Sequence, residues 1–315
     1  MVKIKYSFAD TDSLRDYVSE VYNIPISMLD LHRDVRGAVY IAYSQERKYV
    51  FKLSHTYYRD KSVNAVNLIN FLRTRNFPAV GIIPTAKGEQ YVSISMPEGI
   101  RIGVLYEFAE GRAATFDDIE EIGKLGARMH NEMSSYTGTM PLLYSKPSLI
   151  DELPKMLRTM RYNEANIIEI ERVGNIVWDR VKDHQPIIAH GDFDKNNIII
   201  TDDGSATLLD FDDAGQMPLI FDVACICNRI DDAIFTKEGV EQTEKTVELF
   251  LKGYNALTPH LKPEISDIFN WLAVRRIDLQ MIGIRFYTVK LGRTASIRFW
   301  DMLYKWLMDW KKMFG

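Results

Sequence analysis

Residues 188–224 read IAHGDFDKNNIIITDDGSATLLDFDDAGQMPLIFDVA, and the rest of the chain is best read outward from them. The stretch carries two acidic centres on loops beside short apolar runs. The first, His190-Gly191-Asp192-Phe193-Asp194-Lys195-Asn196-Asn197, sets a carboxylate and a carboxamide five residues apart at the start of the β-prone segment 197–201. The second, Leu209-Asp210-Phe211-Asp212, closes the next β-prone segment, 206–211. Phosphoryl transfer asks a protein for little covalent chemistry: a carboxylate to orient and deprotonate a hydroxyl, and oxygen ligands for magnesium on the phosphates. Magnesium prefers hard oxygen donors and keeps several waters, so one Asp and one Asn suffice. Asp210 and Asn197 are therefore the candidate metal ligands, and Asp192 the candidate base.

Upstream, residues 38–44 (AVYIAYS) and 48–54 (KYVFKLS) are β-prone and joined by the polar 45–47, a hairpin signal. Val63, Val66, Leu68, Ile69 and Leu72 recur at helical spacing over 62–75, and Phe77-Pro78 ends that run. Strands are expected at 91–96 and 101–108, before a break at Glu110-Gly111. Beyond it the pattern turns helical: 116–133 with Asp117 and Asp118 at its start, 147–182, and 240–314, where Pro259 and Pro263 mark a break. The expected fold is α+β and bilobal. It has a strand-rich front part over residues 1–105, a single crossing segment at 106–112, and a larger, mainly helical back part over 113–315.

The 315 residues, 46% hydrophobic and 26% charged, describe an ordinary globular chain long enough for two lobes with a cleft. A net charge of −4 with scattered basic residues gives no footprint for nucleic acid or an anionic membrane. Cys225 and Cys227, one residue apart in an apolar run, suit neither a disulfide nor a zinc site and read as buried thiols. The start of the chain is charged and interrupted, and no apolar run is long enough to span a bilayer, so a reducing cytoplasm is the expected location. His130 and His55 read as packing or surface histidines, and Trp271, Trp300, Trp306 and Trp310 as core. A zinc hydrolase built on His190 and Asp192 would lack further ligands.

The order HGDxxxxN, strand, turn, hydrophobic-DFD, then FDVA resembles the aminoglycoside phosphotransferase and choline kinase superfamily, distant relatives of protein kinases, over nearly the whole chain. The resemblance implies a protein-kinase-like α+β fold, with an N-terminal antiparallel sheet lobe over 1–105 that binds nucleotide, a hinge at 106–112 and a helical lobe over 113–315 that carries catalysis and the acceptor. It implies an ATP-dependent phosphotransferase, with GTP as an alternative donor and Mg2+ as cofactor, acting on the hydroxyl of a small-molecule acceptor. It implies Asp192 as base, Asn197 and Asp210 on the metal, Asp222 as a structural carboxylate, and His190 holding the loop. It places Lys52 on the α and β phosphates and Gly37, beside Arg36, in the phosphate-covering hairpin. The Glu107 carbonyl and the Ala109 amide would read the adenine edge. One departure is Ala65 where the family usually has the lysine's glutamate partner; Asn64 and Asn67 flank it, leaving the partner of Lys52 open. Protein Ser/Thr kinase activity and a nucleotide-binding pseudokinase stand as alternatives. Asp231, Asp232, Arg275 and Arg276 are candidates for the acceptor side, and Arg275, Arg276, Arg285 and Arg293 among the late helices weigh against a cationic aminoglycoside.

Overall fold

The computed structural model describes residue 4 and residues 6–258 and 260–315; Pro259 and the Arg293 side chain lie outside the described residues. In chain order, its front elements are α1 (Thr11–Tyr22), β1 (Ile26–Asp34), β2 (Gly37–Ser44), β3 (Lys48–Ser54), α2 (Arg59–Thr74), β4 (Ile82–Ile83), β5 (Val92–Met96), β6 (Gly99–Glu107) and β7 (Arg112–Ala113). Then follow α3 (Ile119–Met133), α4 (Lys146–Leu149), α5 (Glu152–Thr159), α6 (Glu164–Val181), β8 (Ile187–Ala189), β9 (Ile198–Ile200) and β10 (Ala206–Leu208). Last come β11 (Gly215–Met217), α7 (Leu219–Cys227), α8 (Lys237–Leu257), α9 (Ile265–Ile282) and α10 (Thr288–Phe314). The chain divides into two compact units: Met1–Ala114 with Tyr136–Thr139 and Asn196–Ala214, and Thr115–Ser135 with Met140–Lys195 and Gly215–Gly315.

The first unit is built on an antiparallel sheet of order β1-β2-β3-β6-β4, with β5 also paired to β6. In β3, Tyr49, Phe51 and Leu53 alternate into the core beneath α1 and β1. Because a strand's side chains alternate, Lys52 is thereby sent to the opposite face. Each large apolar side chain buried there contributes roughly 1.5–3 kcal/mol. Helix α1 is the element the sequence reading does not mark. Its signals are local: Asp10 caps the Ser13 N–H at 2.9 Å, Leu14, Val18 and Tyr22 share a buried stripe, and Asn23 ends it in the left-handed region. The segment Asn196–Ala214, which the sequence reading assigns to the C-terminal lobe, groups with this unit for plain hydrogen-bonding reasons. β9 pairs with β7, and β10 is tied to residues 78–80 by Leu208 N–H to the Pro78 carbonyl and Val80 N–H to the Leu208 carbonyl.

The second unit is mainly helical, with one short ladder, β8 against β11. The segment expected to be helical over 147–182 holds three helices, α4 to α6. Arg161 takes a positive φ of 57° and Asn163 caps the Asn166 N–H, so the chain stops and restarts. Trp271, Trp300, Trp306 and Trp310 are all buried, which is the core role their spacing suggests. Cys225 and Cys227 are buried free thiols on α7, a helix buried nearly all round. Among the described residues no helix is long and apolar enough to cross a membrane.

Candidate active site

In the first unit, Lys52 Nζ lies 2.6 Å from Asp210 Oδ1 and 2.7 Å from Asp212 Oδ2. This fills the partner position that the sequence leaves open: the lysine's carboxylates come from the turn after β10, while Ala65 is simply buried on α2. The second oxygen of Asp210 accepts from Arg33 Nη2 at 3.1 Å. Asp213, three residues on, is held by Lys61 Nζ at 3.1 Å and by Arg36 Nη1. Helix α2 thus brings a cation, Lys61, to the 210–213 turn.

The turn is shaped by Asp210 itself, whose φ of 56° and ψ of 65° lie in the left-handed region. Aspartate visits that region more readily than most residues, because its short polar side chain can bond locally. Burial alone would raise the Asp210 carboxyl, but Lys52 outweighs it and, with Arg36 and Arg33, keeps the carboxyl well below its usual range. Burial likewise opposes charge on Lys52, yet Asp210 and Asp212 lift its pKa above the ordinary lysine value. Asp213 is drawn down to about 2, Arg36 and Lys61 overcoming burial. Asp212 moves the other way, raised by burial and by the charge of Asp210 despite Lys52.

A cavity of about 310 Å³ opens onto this cluster. Lys52, Asp210 and Asn197 line it together with Glu107, Phe108 and Ala109, and Val39, Ile41, Val50 and Ile69 give it an apolar wall. Asn197 is brought beside the turn because its carbonyl accepts from Leu209 N–H at 2.8 Å, closing the β9–β10 hairpin. Among the described residues the Ala109 N–H donates to no protein acceptor, so a donor on the cavity wall is free for a ligand. Gly37 does not line this cavity. It opens β2 opposite Ser54 at a φ of 156°, where a Cβ would stand 2.6 Å from the Leu53 carbonyl oxygen.

Asp192 belongs to the second unit. Its loop turns at Gly191, whose φ of 78° favours glycine. Asp222, fully buried, accepts from His190 N–H at 2.8 Å, from Gly191 N–H at 2.9 Å, and makes a third contact at 3.1 Å with His130 Nε2. These bonds overcome burial, which would raise the carboxyl, and hold Asp222 below the usual carboxylate range. His130 also reaches the Tyr254 hydroxyl at 3.1 Å, which makes it a packing histidine. His190 Nδ1 accepts from the Asp192 N–H at 3.3 Å, so both neighbours of Gly191 are tied down. Arg275, on α9, donates from Nη2 to Asp192 Oδ1 at 2.7 Å and from Nη1 to Cys225 Sγ at 3.0 Å. Burial disfavours that guanidinium's charge, yet Cys225 and Asp192 raise its pKa well above the usual value. Buried in its turn, the Cys225 thiol is pushed up, out of reach of ionisation near neutrality.

The sequence-chosen Lys52, Asn197, Asp210, Glu107 and Ala109 thus meet at one cavity of the first unit, and Asp192 sits on a braced loop of the second. Arg33, Lys61 and Asp213 are absent from the sequence reading, and Asp212 appears there only within Leu209-Asp210-Phe211-Asp212, with no role assigned. The signal that could have exposed the last two is their adjacency to Asp210 in Phe211-Asp212-Asp213; the cations carry no local signal.

A single-sheet lysine answered by aspartates on a turn, beside a mixed apolar and polar cavity, is the arrangement of a kinase-like α+β fold. The chain belongs to the phosphotransferase enzyme family, whose model matches residues 31–260. Among solved structures it is similar to a microcompartment-associated aminopropanol kinase, with TM-score 0.77 and 16% identity, covering 97% of this chain and 99% of that one. It is also similar to an amicoumacin kinase solved with AMP-PNP, Ca2+ and its antibiotic, with TM-score 0.73 and 18% identity over 94% of this chain and 93% of that one. An uncharacterized protein of Synechocystis sp. is 24% identical over 269 residues, 81% of this chain and 72% of its own length. The chain is a phosphotransferase by family.

Proposed function

We propose that this phosphotransferase moves the γ-phosphoryl group of ATP to a hydroxyl of a small polar molecule. The observation that carries the proposal is the cavity in which Lys52, Asp210 and Asn197 share walls with the 107–109 strand end. An apolar slot with a free backbone donor suits a purine, and a lysine beside two oxygen-bearing side chains suits a metal-bound polyphosphate. The similar amicoumacin kinase and a similar spectinomycin phosphotransferase were solved with AMP-PNP and ADP, which supports an adenine nucleotide as donor.

The Asp210 carboxylate and the Asn197 carboxamide fit magnesium, since both offer hard oxygens and leave positions for water and phosphate. When bound, the ion supplies charge neutralisation on the phosphates. Lys52 binds the α and β phosphates. Asp212 takes the anchoring role that Ala65 cannot fill, so the missing helix glutamate does not by itself favour a pseudokinase. Asp192 orients the acceptor hydroxyl and receives its proton as the oxygen attacks the γ-phosphorus and the bond to the β–γ bridging oxygen breaks, releasing ADP. Arg275, donating to Asp192 Oδ1, orients that carboxylate for the work.

ATP consumption screened across hydroxylated metabolites and antibiotics, with Mg2+, tests the proposal. At least one acceptor should stimulate turnover, and Asp192→Ala should abolish that stimulation while binding ATP like the wild type. Stimulated turnover that survives in Asp192→Ala would refute the assignment of the base.

A further inference from the structure

A second cavity of the first unit, of about 730 Å³ and so larger than the one beside Lys52, lies between α1, α2 and the segment that leads into β5. The two cavities share no lining residue. Val21, Val66 and Val92 give the second one apolar surface, and Tyr17 and Tyr91 add two aromatic rings. One wall is held in place by the chain itself. The turn 85–89 closes by Thr85 N–H to the Glu89 carbonyl at 2.8 Å, the Thr85 hydroxyl accepts from the Lys87 and Glu89 N–H groups at 3.3 and 3.1 Å, and Gly88 takes a φ of 83°. The Ala86 N–H then ties this turn to α1 through the Val21 carbonyl at 2.9 Å. Glu20, from α1, and Glu89, from the turn, both line the cavity, and among the described residues neither carboxylate accepts a hydrogen bond or pairs with a cation. Lys87 lines it too and pairs with neither. Burial, then the charges of Glu89 and Glu20, raise the Tyr17 phenol above its usual pKa, so both carboxylates act on that one ring.

We propose that this cavity is a binding site for a small linear polyamine, whose ammonium groups pair with Glu20 and Glu89 while its methylene chain lies along Val21, Val66 and Val92. Carboxylate oxygens accept charge-assisted hydrogen bonds from ammonium, tyrosine faces attract the cation, and methylenes cover the valine surface. Other ligand classes fit less well. An anion would meet two carboxylates against one lysine, and an uncharged chain would take water from both carboxylates and give them no partner. The site lies outside the proposed phosphotransfer and does not depend on it. Helix α2 nonetheless borders both cavities, with Val66 and Asn67 on this one and Ile69 on the other, so a ligand that spans α1 and α2 also steadies the helix whose Lys61 holds Asp213.

Calorimetric titration of the full chain with spermidine, with neither nucleotide nor Mg2+ in the buffer, tests this. One spermidine should bind per chain and raise the melting temperature. Glu20→Gln and Glu89→Gln should each weaken binding about 10-fold, the size of one lost charge-assisted hydrogen bond. Both glutamates are exposed and unpaired, so the variants fold and melt like the wild type when spermidine is left out. Lys87→Ala removes the competing cation and should tighten binding several-fold. Glu248→Gln, which takes the same charge from an exposed position of α8 in the other unit, should change nothing, and uncharged 1,8-octanediol should not bind. Binding of wild-type strength in the Glu20→Gln, Glu89→Gln double variant overturns the proposal. So does an equal loss in Glu248→Gln, which would mark diffuse attraction to a chain of net charge −4, and so does the lack of saturable binding tighter than about 1 mM. None of these readouts uses nucleotide or turnover, so their failure leaves the proposed function standing, and failure of the proposed function leaves them untouched.

Discussion

Replacing Asp222 by alanine strips three partners at once from a site with no solvent access: the His190 and Gly191 N–H groups, at 2.8 and 2.9 Å, and His130 Nε2 at 3.1 Å. A buried donor left unmade costs about 1–3 kcal/mol. With two backbone donors orphaned and the imidazole losing its acceptor, the loss should be about 3–5 kcal/mol, a large share of the roughly 5–15 kcal/mol that holds a typical domain folded. Asparagine does little better. Its carboxamide can accept one N–H but points its own N–H2 at the second donor. The pH dependence follows from linkage. The folded carboxyl titrates below its unfolded value, so its contribution is fully present above about pH 4 and is lost as pH falls through the folded pKa. Urea denaturation of the wild type and of Asp222→Asn at pH 7 and at pH 3 measures both terms. The stability gap between them should be wide at pH 7 and narrower at pH 3. A gap below about 1 kcal/mol at neutral pH would refute the view that Asp222 braces the loop bearing Asp192.

Two other outcomes follow from contacts of the same kind. Arg275→Met, which removes the 2.7 Å bond to Asp192 but keeps most of the buried volume, should lower kcat about 10-fold with the affinity for nucleotide unchanged; an unchanged kcat would remove Arg275 from the machinery. Gly37→Ala forces a Cβ to within 2.6 Å of the Leu53 carbonyl oxygen and should cost about 1–3 kcal/mol, read as a lower melting temperature; an unshifted melt would mean that the start of β2 yields freely.

The parts of the site legible in the sequence are those whose meaning is local. Asp192 and Asn197 stand five residues apart at a strand start, Asp210 ends the following strand, and Lys52 breaks the apolar phase of a strand that reads as a strand without help. Illegible parts are pairings across long separations. Lys52 and Asp212 lie 160 positions apart, Arg33 and Asp210 177, and Arg275 and Asp192 83, so no spacing rule connects them. Even a correct strand assignment says only which way Lys52 points, not what meets it. Helix α1 shows a different limit. Its cap and stripe are visible in Asp10, Leu14, Val18 and Tyr22, but a polar twelve-residue helix is a weak pattern beside the β-prone runs that follow. The helical segment expected over 147–182 is helical, but its division at Arg161 and Asn163, a positive φ followed by an N-cap, is something amphipathic spacing alone does not register.

In kinases whose lysine depends on a helix-borne glutamate, rotating that helix uncouples the lysine and switches the enzyme off. Here the lysine's carboxylates and one of the two candidate metal ligands sit within three consecutive residues, 210 to 212. Swinging α2 away would leave that triplet whole, while a distortion of a single peptide in it would disarm lysine and metal site together. Control that acts through this one short turn would reach both functions at once, whereas a shift of α2 would cost the turn its Lys61–Asp213 bond and leave the Lys52 pairings to the triplet.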